Sequence, residues 1–173
     1  MLGAMGRAGV RIDEGNLSRL YAEYEKELAV LEKEIHELAG EEFLVSSPKQ
    51  LQVILFEKLG LPILKKTKTG YSTAENVLEQ LTEHHALPGK ILAWRKLSKL
   101  KSTYVDALPP LVNERTGRIH PSFHQLGAAT GRLSASNPNV QNIPIRGSEG
   151  ARMREAFIHA DGRVLVSPEY SQV

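Results

Sequence analysis

Thr130 to Arg146 reads TGRLSASNPNVQNIPIR. The stretch is too rich in turn and amide residues to be core, yet too ordered in pattern for a flexible linker. Arg132, Asn139, Gln141, Asn142 and Arg146 lie close together along it. Asparagine and glutamine offer both donors and acceptors, and arginine forks onto a phosphate or a base edge. Such a strip suits a minor groove, where purine N3 and pyrimidine O2 are acceptors that every base pair presents. It also suits a loop whose amides satisfy their own backbone turns.

Around this strip, from Arg118 onward, short extended segments are broken by glycine, proline and asparagine. They close on Gly162-Arg163-Val164-Leu165-Val166-Ser167, which reads as a buried strand. Upstream the texture is helical, and the change places a boundary between residues 112 and 113. Leu17, Tyr21, Tyr24, Leu28, Leu31, Ile35 and Leu38 recur in steps of four and three, the seam of a long amphipathic helix. Asp13 or Asn16 can cap its start and Gly40 can end it. A second long helix is expected from about Pro88 to Leu108. It is the natural antiparallel partner of the first, the alternative being a free-standing coiled coil.

Between them Ser47, followed by Pro48, opens a short helix through Leu51, Ile54, Leu55 and Leu59. A basic loop, Lys65 to Tyr71, follows, and Ser72 with Glu75 has the spacing of a capping box for one more helix. The fold expected is α+β: a mostly helical part, 1–112, with two long antiparallel helices and short ones at the tip, then short antiparallel strands, 113–173.

Composition narrows the function. The chain has no cysteine, which excludes disulfides and thiolate metal sites and fits a reducing compartment, so the cytoplasm is expected. Neither a secretory leader nor the roughly 18-residue apolar run of a spanning helix is present, so no membrane partner is expected. Residues 1–45 hold 5 Lys and Arg against 10 Asp and Glu, and the rest hold 17 against 10. The basic later part suits a polyanion or a solvated surface. His120 and His124, on one strand face, make a weak metal pair beside the structural reading. His84 and His85 are expected at a helix end, where imidazole suits the dipole. Trp94 and Tyr104 are read as packing groups of the second long helix.

TGRLSASNPNVQNIPIR resembles the block TGRLSSxxPNLQNIP of family A DNA polymerases, which precedes the first catalytic motif of that family. The resemblance extends in both directions. SPKQLQVILFEKLGLP, KKTKTGYST and KLSKLKSTYVDALP are similar to the family's DNA-gripping thumb, and RTGRIHPSF to the start of its palm. VLVSPEYSQ is similar to its motif A, usually SADYSQIE. The helical part is thereby implied to be thumb and the remainder an incomplete palm.

The resemblance also implies roles. Arg132 matches the arginine that reaches the minor groove at the primer terminus, while Asn139, Gln141, Asn142 and Arg146 belong to the strip that holds duplex and template. Ser47, Lys99, Lys101, Ser102 and Thr103 match the region where the thumb grips the DNA backbone. In the family the motif A aspartate and a neighbouring carbonyl hold magnesium, which implies Glu169 and the Tyr170 carbonyl here.

Glu169 stands where the family has aspartate, and its extra methylene displaces the carboxylate from a strict two-metal geometry. Pro168 removes an amide donor from the same strand. The chain is accordingly expected to be an inactive piece of a replication and repair polymerase, a monomer whose partner is primer-template duplex. Magnesium and deoxynucleotides belong to the intact enzyme. The other readings are a non-enzymatic duplex-binding module and an inert truncated product.

Overall fold

The computed structural model describes residues 1–68, 70–144 and 147–166. Along the chain come α1 (Leu2–Ala8), β1 (Val10–Ile12), α2 (Glu14–Ala39), α3 (Pro48–Gln52), β2 (Lys66–Thr67) and β3 (Gly70–Tyr71). Then follow α4 (Glu75–Leu81), α5 (Ala86–Leu100), β4 (Arg118–Ile119), β5 (Ser122–His124), β6 (Ser134–Ser136), α6 (Ser148–Glu155) and β7 (Phe157–Ile158). Two π turns, Val53–Lys58 and Lys101–Val105, extend α3 and α5, and a 3-10 turn spans Pro109–Leu111. The α+β class expected from the sequence is what the chain adopts. No helix among the described residues is long and apolar enough to cross a membrane.

The elements gather into two compact units, residues 22–101 and residues 1–21 with 102–173. Compactness therefore divides the chain at 101, whereas the change of composition lies at 112. The difference at the start of the chain has a cause: β1 is the central strand of a three-stranded antiparallel sheet ordered β4-β1-β7. Val10 lies opposite Ile119, and Ile12 opposite Phe157, so residues upstream of α2 complete a sheet made mostly by residues downstream of α5.

The 22–101 unit is organised by two helices. Lys90 Nζ lies 2.7 Å from Glu34 Oε2, and Lys101 Nζ 2.8 Å from Glu25 Oε1. Partner numbers fall on one helix as they rise on the other, so α2 and α5 run antiparallel, as expected. Below them Ile35, Val45, Leu51, Leu55, Leu78, Leu81, Leu87 and Ile91 form one buried apolar cluster. Trp94 packs against that cluster, in line with its reading as a packing group.

Helix ends follow local chemistry. Asp13 Oδ1 accepts from the Asn16 N–H at 2.9 Å to start α2, and Gly40 ends it at φ 73°, a left-handed conformation that glycine adopts without steric cost. Ser47 caps α3, with Pro48 in its first turn, and its hydroxyl accepts from the Gln50 N–H at 3.4 Å.

Several expectations are corrected. The buried stripe of α2 uses Leu20, while Tyr21 is 46% exposed. A strict seven-residue repeat drifts from the 3.6-residue helix, and the true stripe follows the helix. The helix after the basic loop is preceded by Ala74, and Ser72 Oγ instead accepts from the Ala74 N–H at 3.3 Å, so no capping box forms. The loop itself is a hairpin, with Lys66 opposite Tyr71 and Thr67 opposite Gly70.

His85 begins a helix rather than ending one. Its Nδ1 accepts from the Leu87 N–H at 3.0 Å. Arg163–Val166 is not a buried strand: Val164, Leu165 and Val166 are 78, 63 and 77% exposed, and no described strand pairs with them. A strand buried on both faces needs neighbours on both sides, and alternation in the sequence cannot supply them. Ser167, at the end of that predicted strand, lies outside the described residues.

Candidate nucleic-acid interface

The strip is shaped by hydrogen bonds more than by apolar packing. β6 carries Ser134–Ser136 onto β5, with Phe123 opposite Ala135 and His124 opposite Ser134. The chain then turns at Asn137, φ 51°, ahead of a cis bond to Pro138. Asn139 Oδ1 accepts from the Gln141 N–H at 3.1 Å, an Asx turn. Gln141 Nε2 reaches back across the bend and donates to the Leu133 carbonyl at 2.6 Å. The Asn142 carbonyl accepts from the hydroxyl of Tyr104.

These bonds answer part of the choice left open by composition. Asn139 and Gln141 do satisfy their own turn, yet Arg132, Asn139, Gln141 and Asn142 all remain at the exposed surface. The turn chemistry thus shapes the strip without burying its polar groups. Arg146 lies outside the described residues.

The second group of predicted residues occupies the end of α5 and the π turn after it. Lys99, Ser102 and Thr103 are exposed, whereas the Lys101 side chain is only 12% exposed and its charge is set against Glu25. A π turn holds one residue more than an α turn and re-aims the side chains after it. Tyr104, in the same turn, is buried as the sequence reading had it, and burial raises its phenol pKa above the ordinary value. Its hydroxyl joins the π turn to the strip by donating to the Asn142 carbonyl. Sequence gave no signal for that bond, which spans 38 residues.

Ser47 belongs to the other unit, where its hydroxyl is occupied with capping α3. That unit also carries a feature missed as structure though visible as a lysine run. The β2–β3 hairpin presents Lys65, Lys66 and Lys68 at the surface. Its base is held firmly. Gln52 Oε1 accepts from the Tyr71 N–H at 2.8 Å, and a Cβ on Gly70, φ 140°, would fall 2.2 Å from that same oxygen. Arg95 donates through Nη1 to the Thr73 carbonyl at 2.5 Å and through Nη2 to Thr73 Oγ1 at 3.3 Å. Burial pulls the Arg95 guanidinium pKa down from its ordinary range.

The histidine pair does not converge. His120 Nδ1 lies 2.9 Å from the Gly6 carbonyl and its Nε2 2.7 Å from Thr116 Oγ1, while His124 Nε2 lies 2.8 Å from Ser136 Oγ in a different sheet. No group of three or more His, Cys, Asp or Glu able to hold a metal ion exists among the described residues. Glu169, Tyr170 and Pro168, on which the metal expectation falls, lie outside the described residues.

Comparison with known proteins bears on the whole chain. The family model of DNA polymerase family A matches residues 14–173. DNA polymerase I of Pseudomonas aeruginosa is 51% identical over all of this chain, which covers 19% of that relative. The thermostable DNA polymerase I of Thermus aquaticus is 50% identical, again over the whole chain and 21% of its own length. The chain thus spans about a fifth of the curated relatives it matches.

Among solved structures, the POL domain of Pol1 from M. smegmatis, in complex with DNA primer-template and dNTP, superposes with a TM-score of 0.87. It is 42% identical, over 93% of this chain and 28% of that one. With the sequence block around Arg132, the α+β fold and these matches in agreement, the chain belongs to DNA polymerase family A.

Proposed function

We propose that these residues form the thumb and the first part of the palm of a DNA polymerase I-like enzyme, and that their own task is to hold primer-template duplex. The helical unit of 22–101 makes up most of the thumb, read from the sequence as 1–112, and residues 113–173 the partial palm. The observation that carries the reading is the exposed strip of Arg132, Asn139, Gln141 and Asn142 inside the block that family membership makes recognisable. Support also comes from the Pol1 relative, whose structure holds primer-template DNA.

The chemistry assigns distinct work to each group. Arg132 and the amide N–H groups of the strip donate to groove acceptors common to all base pairs, giving grip without sequence choice. Ser102, Thr103 and Lys99 meet backbone phosphates, as do the hairpin lysines and Ser47. Lys101 enters that set only by exchanging Glu25 for a phosphate. Phosphate contacts fix register and make binding salt-dependent.

Nucleotide addition is assigned to the whole enzyme, with magnesium as its cofactor and deoxynucleotides as substrates. The 173 residues alone hold duplex and do not extend it, because Glu169 replaces the aspartate of motif A. A primer-extension assay beside a gel shift tests both halves. A shifted duplex without extension is expected; extension by this chain, or no shift at low salt, would overturn the reading. The second outcome would favour an inert product over a binding module.

A further inference from the structure

We propose that Tyr104 is a positioning residue for the duplex-holding strip, tying Asn139–Asn142 to the π turn that carries Ser102 and Thr103. The inference rests on the duplex-binding reading above and deepens it. The two groups assigned to phosphate and groove are 29 or more positions apart in sequence, since Thr103 and Arg132 bracket the interval. A duplex fixes the separation between its phosphates and its groove acceptors, so side chains that read both must themselves stand at a fixed separation.

The Tyr104 hydroxyl donates to the Asn142 carbonyl, a side-chain link between the two groups. The other bonds shaping the strip are internal to it: Asn139 to Gln141, and Gln141 to Leu133.

The setting suits a fixed anchor. The Tyr104 ring is 5% exposed, next to the buried Val105, and a buried phenol keeps its proton and seeks an acceptor. The carbonyl it meets sits at the turn that ends the strip, where the backbone has no ladder partner of its own. Without the bond, the Asx turn at Asn139 and the Gln141 bridge still form, but the strip loses this tie to the π turn. Groove and phosphate contacts then cannot be made together without an ordering cost.

Tyr104→Phe keeps the ring and removes only the donor. Duplex affinity is expected to fall about three- to tenfold, the effect of one structural hydrogen bond. The preference for duplex over single strand should fall with it, while the slope of log affinity against log salt stays unchanged because no phosphate contact is removed. Nuclear magnetic resonance supplies a readout that loss of packing would not give. The side-chain amide signals of Asn139, Gln141 and Asn142 should broaden or shift, with signals of the Leu78–Ile91 core unmoved.

Wild-type affinity, duplex preference and amide signals in Tyr104→Phe would overturn the positioning role and leave the binding reading intact. Failure of the wild-type chain itself to bind duplex at low salt would overturn both. If the variant does not fold, the wild-type chain decides alone. A slowly exchanging Tyr104 hydroxyl proton with a cross-peak to the Asn142–Ile143 backbone is expected, and exchange at the solvent rate contradicts the proposal.

Discussion

The core of residues 22–101 and the strip of residues 130–144 are built by opposite means. The first is a cluster of aliphatic side chains, Leu51, Leu55, Leu78, Leu81, Leu87 and Ile91 all at 0% exposure, closed by an antiparallel helix pair. The second has Ala135 and Pro138 as its buried residues and takes its shape from an Asx turn, a glutamine bridge and a tyrosine donor. Apolar packing is tolerant of the residue chosen so long as volume is kept, whereas a hydrogen-bonded strip depends on named atoms.

Substitutions in the two regions should separate stability from binding. Leu78→Ala leaves a cavity in the aliphatic cluster and is expected to cost about 2–5 kcal/mol in urea unfolding. A loss under 1 kcal/mol would mean that the cluster is not the stabilising element. Arg95→Ala comes next, because it strips two donors from the buried Thr73 at the foot of the basic hairpin. About 1–3 kcal/mol is expected, with faster amide exchange at Tyr71. Unaltered exchange there would show the hairpin to be held by Gln52 alone.

Arg132→Ala should do the reverse. The side chain is exposed, so stability is expected to stay within about 0.5 kcal/mol while duplex affinity falls several-fold. A large loss of stability would break the contrast.

Alkaline pH gives the smallest effect, read through Tyr104. Burial raises that phenol pKa, so the neutral form is favoured by folding. The stabilisation is fully present below the unfolded-state value of 10.0 and is lost as pH rises through the higher folded value. A melting series from pH 9 upward should therefore show an extra decline in wild type that Tyr104→Phe lacks. Parallel curves would mean that the phenol does not sense its burial.

What was legible in the sequence follows the same division. Both long helices, the caps at Asp13 and Ser47, the stop at Gly40 and the packing role of Trp94 are local or periodic, and they could be read directly. The choice of Leu20 over Tyr21 depended on how the helix drifts against a seven-residue repeat. His85 could not be placed at a helix start because the same residue types serve both ends.

The failures at long range share a cause. Arg163–Val166 looked like a strand because its composition is right, but a strand is defined by neighbours. β1 pairs with Arg118 and Phe157, more than a hundred residues away, which no local pattern shows. Glu25 lies beside Lys101, a neighbour that no local pattern in the sequence shows. At the site, the block carrying Arg132, Asn139, Gln141 and Asn142 was legible through its resemblance to a family. The atoms that shape it, on Leu133 and Tyr104, were not.

The most direct test is equilibrium binding of the chain to a labelled primer-template duplex across a salt series, with single-stranded DNA as competitor and Arg132→Ala alongside. The account predicts duplex-preferring binding whose log affinity falls linearly with log salt, by about 0.9 per phosphate neutralised. Arg132→Ala should lie below wild type at every salt concentration with the same slope, since it removes a groove contact. Equal affinity for single strands, or no binding at low salt, would contradict the claim that this chain is built to hold duplex.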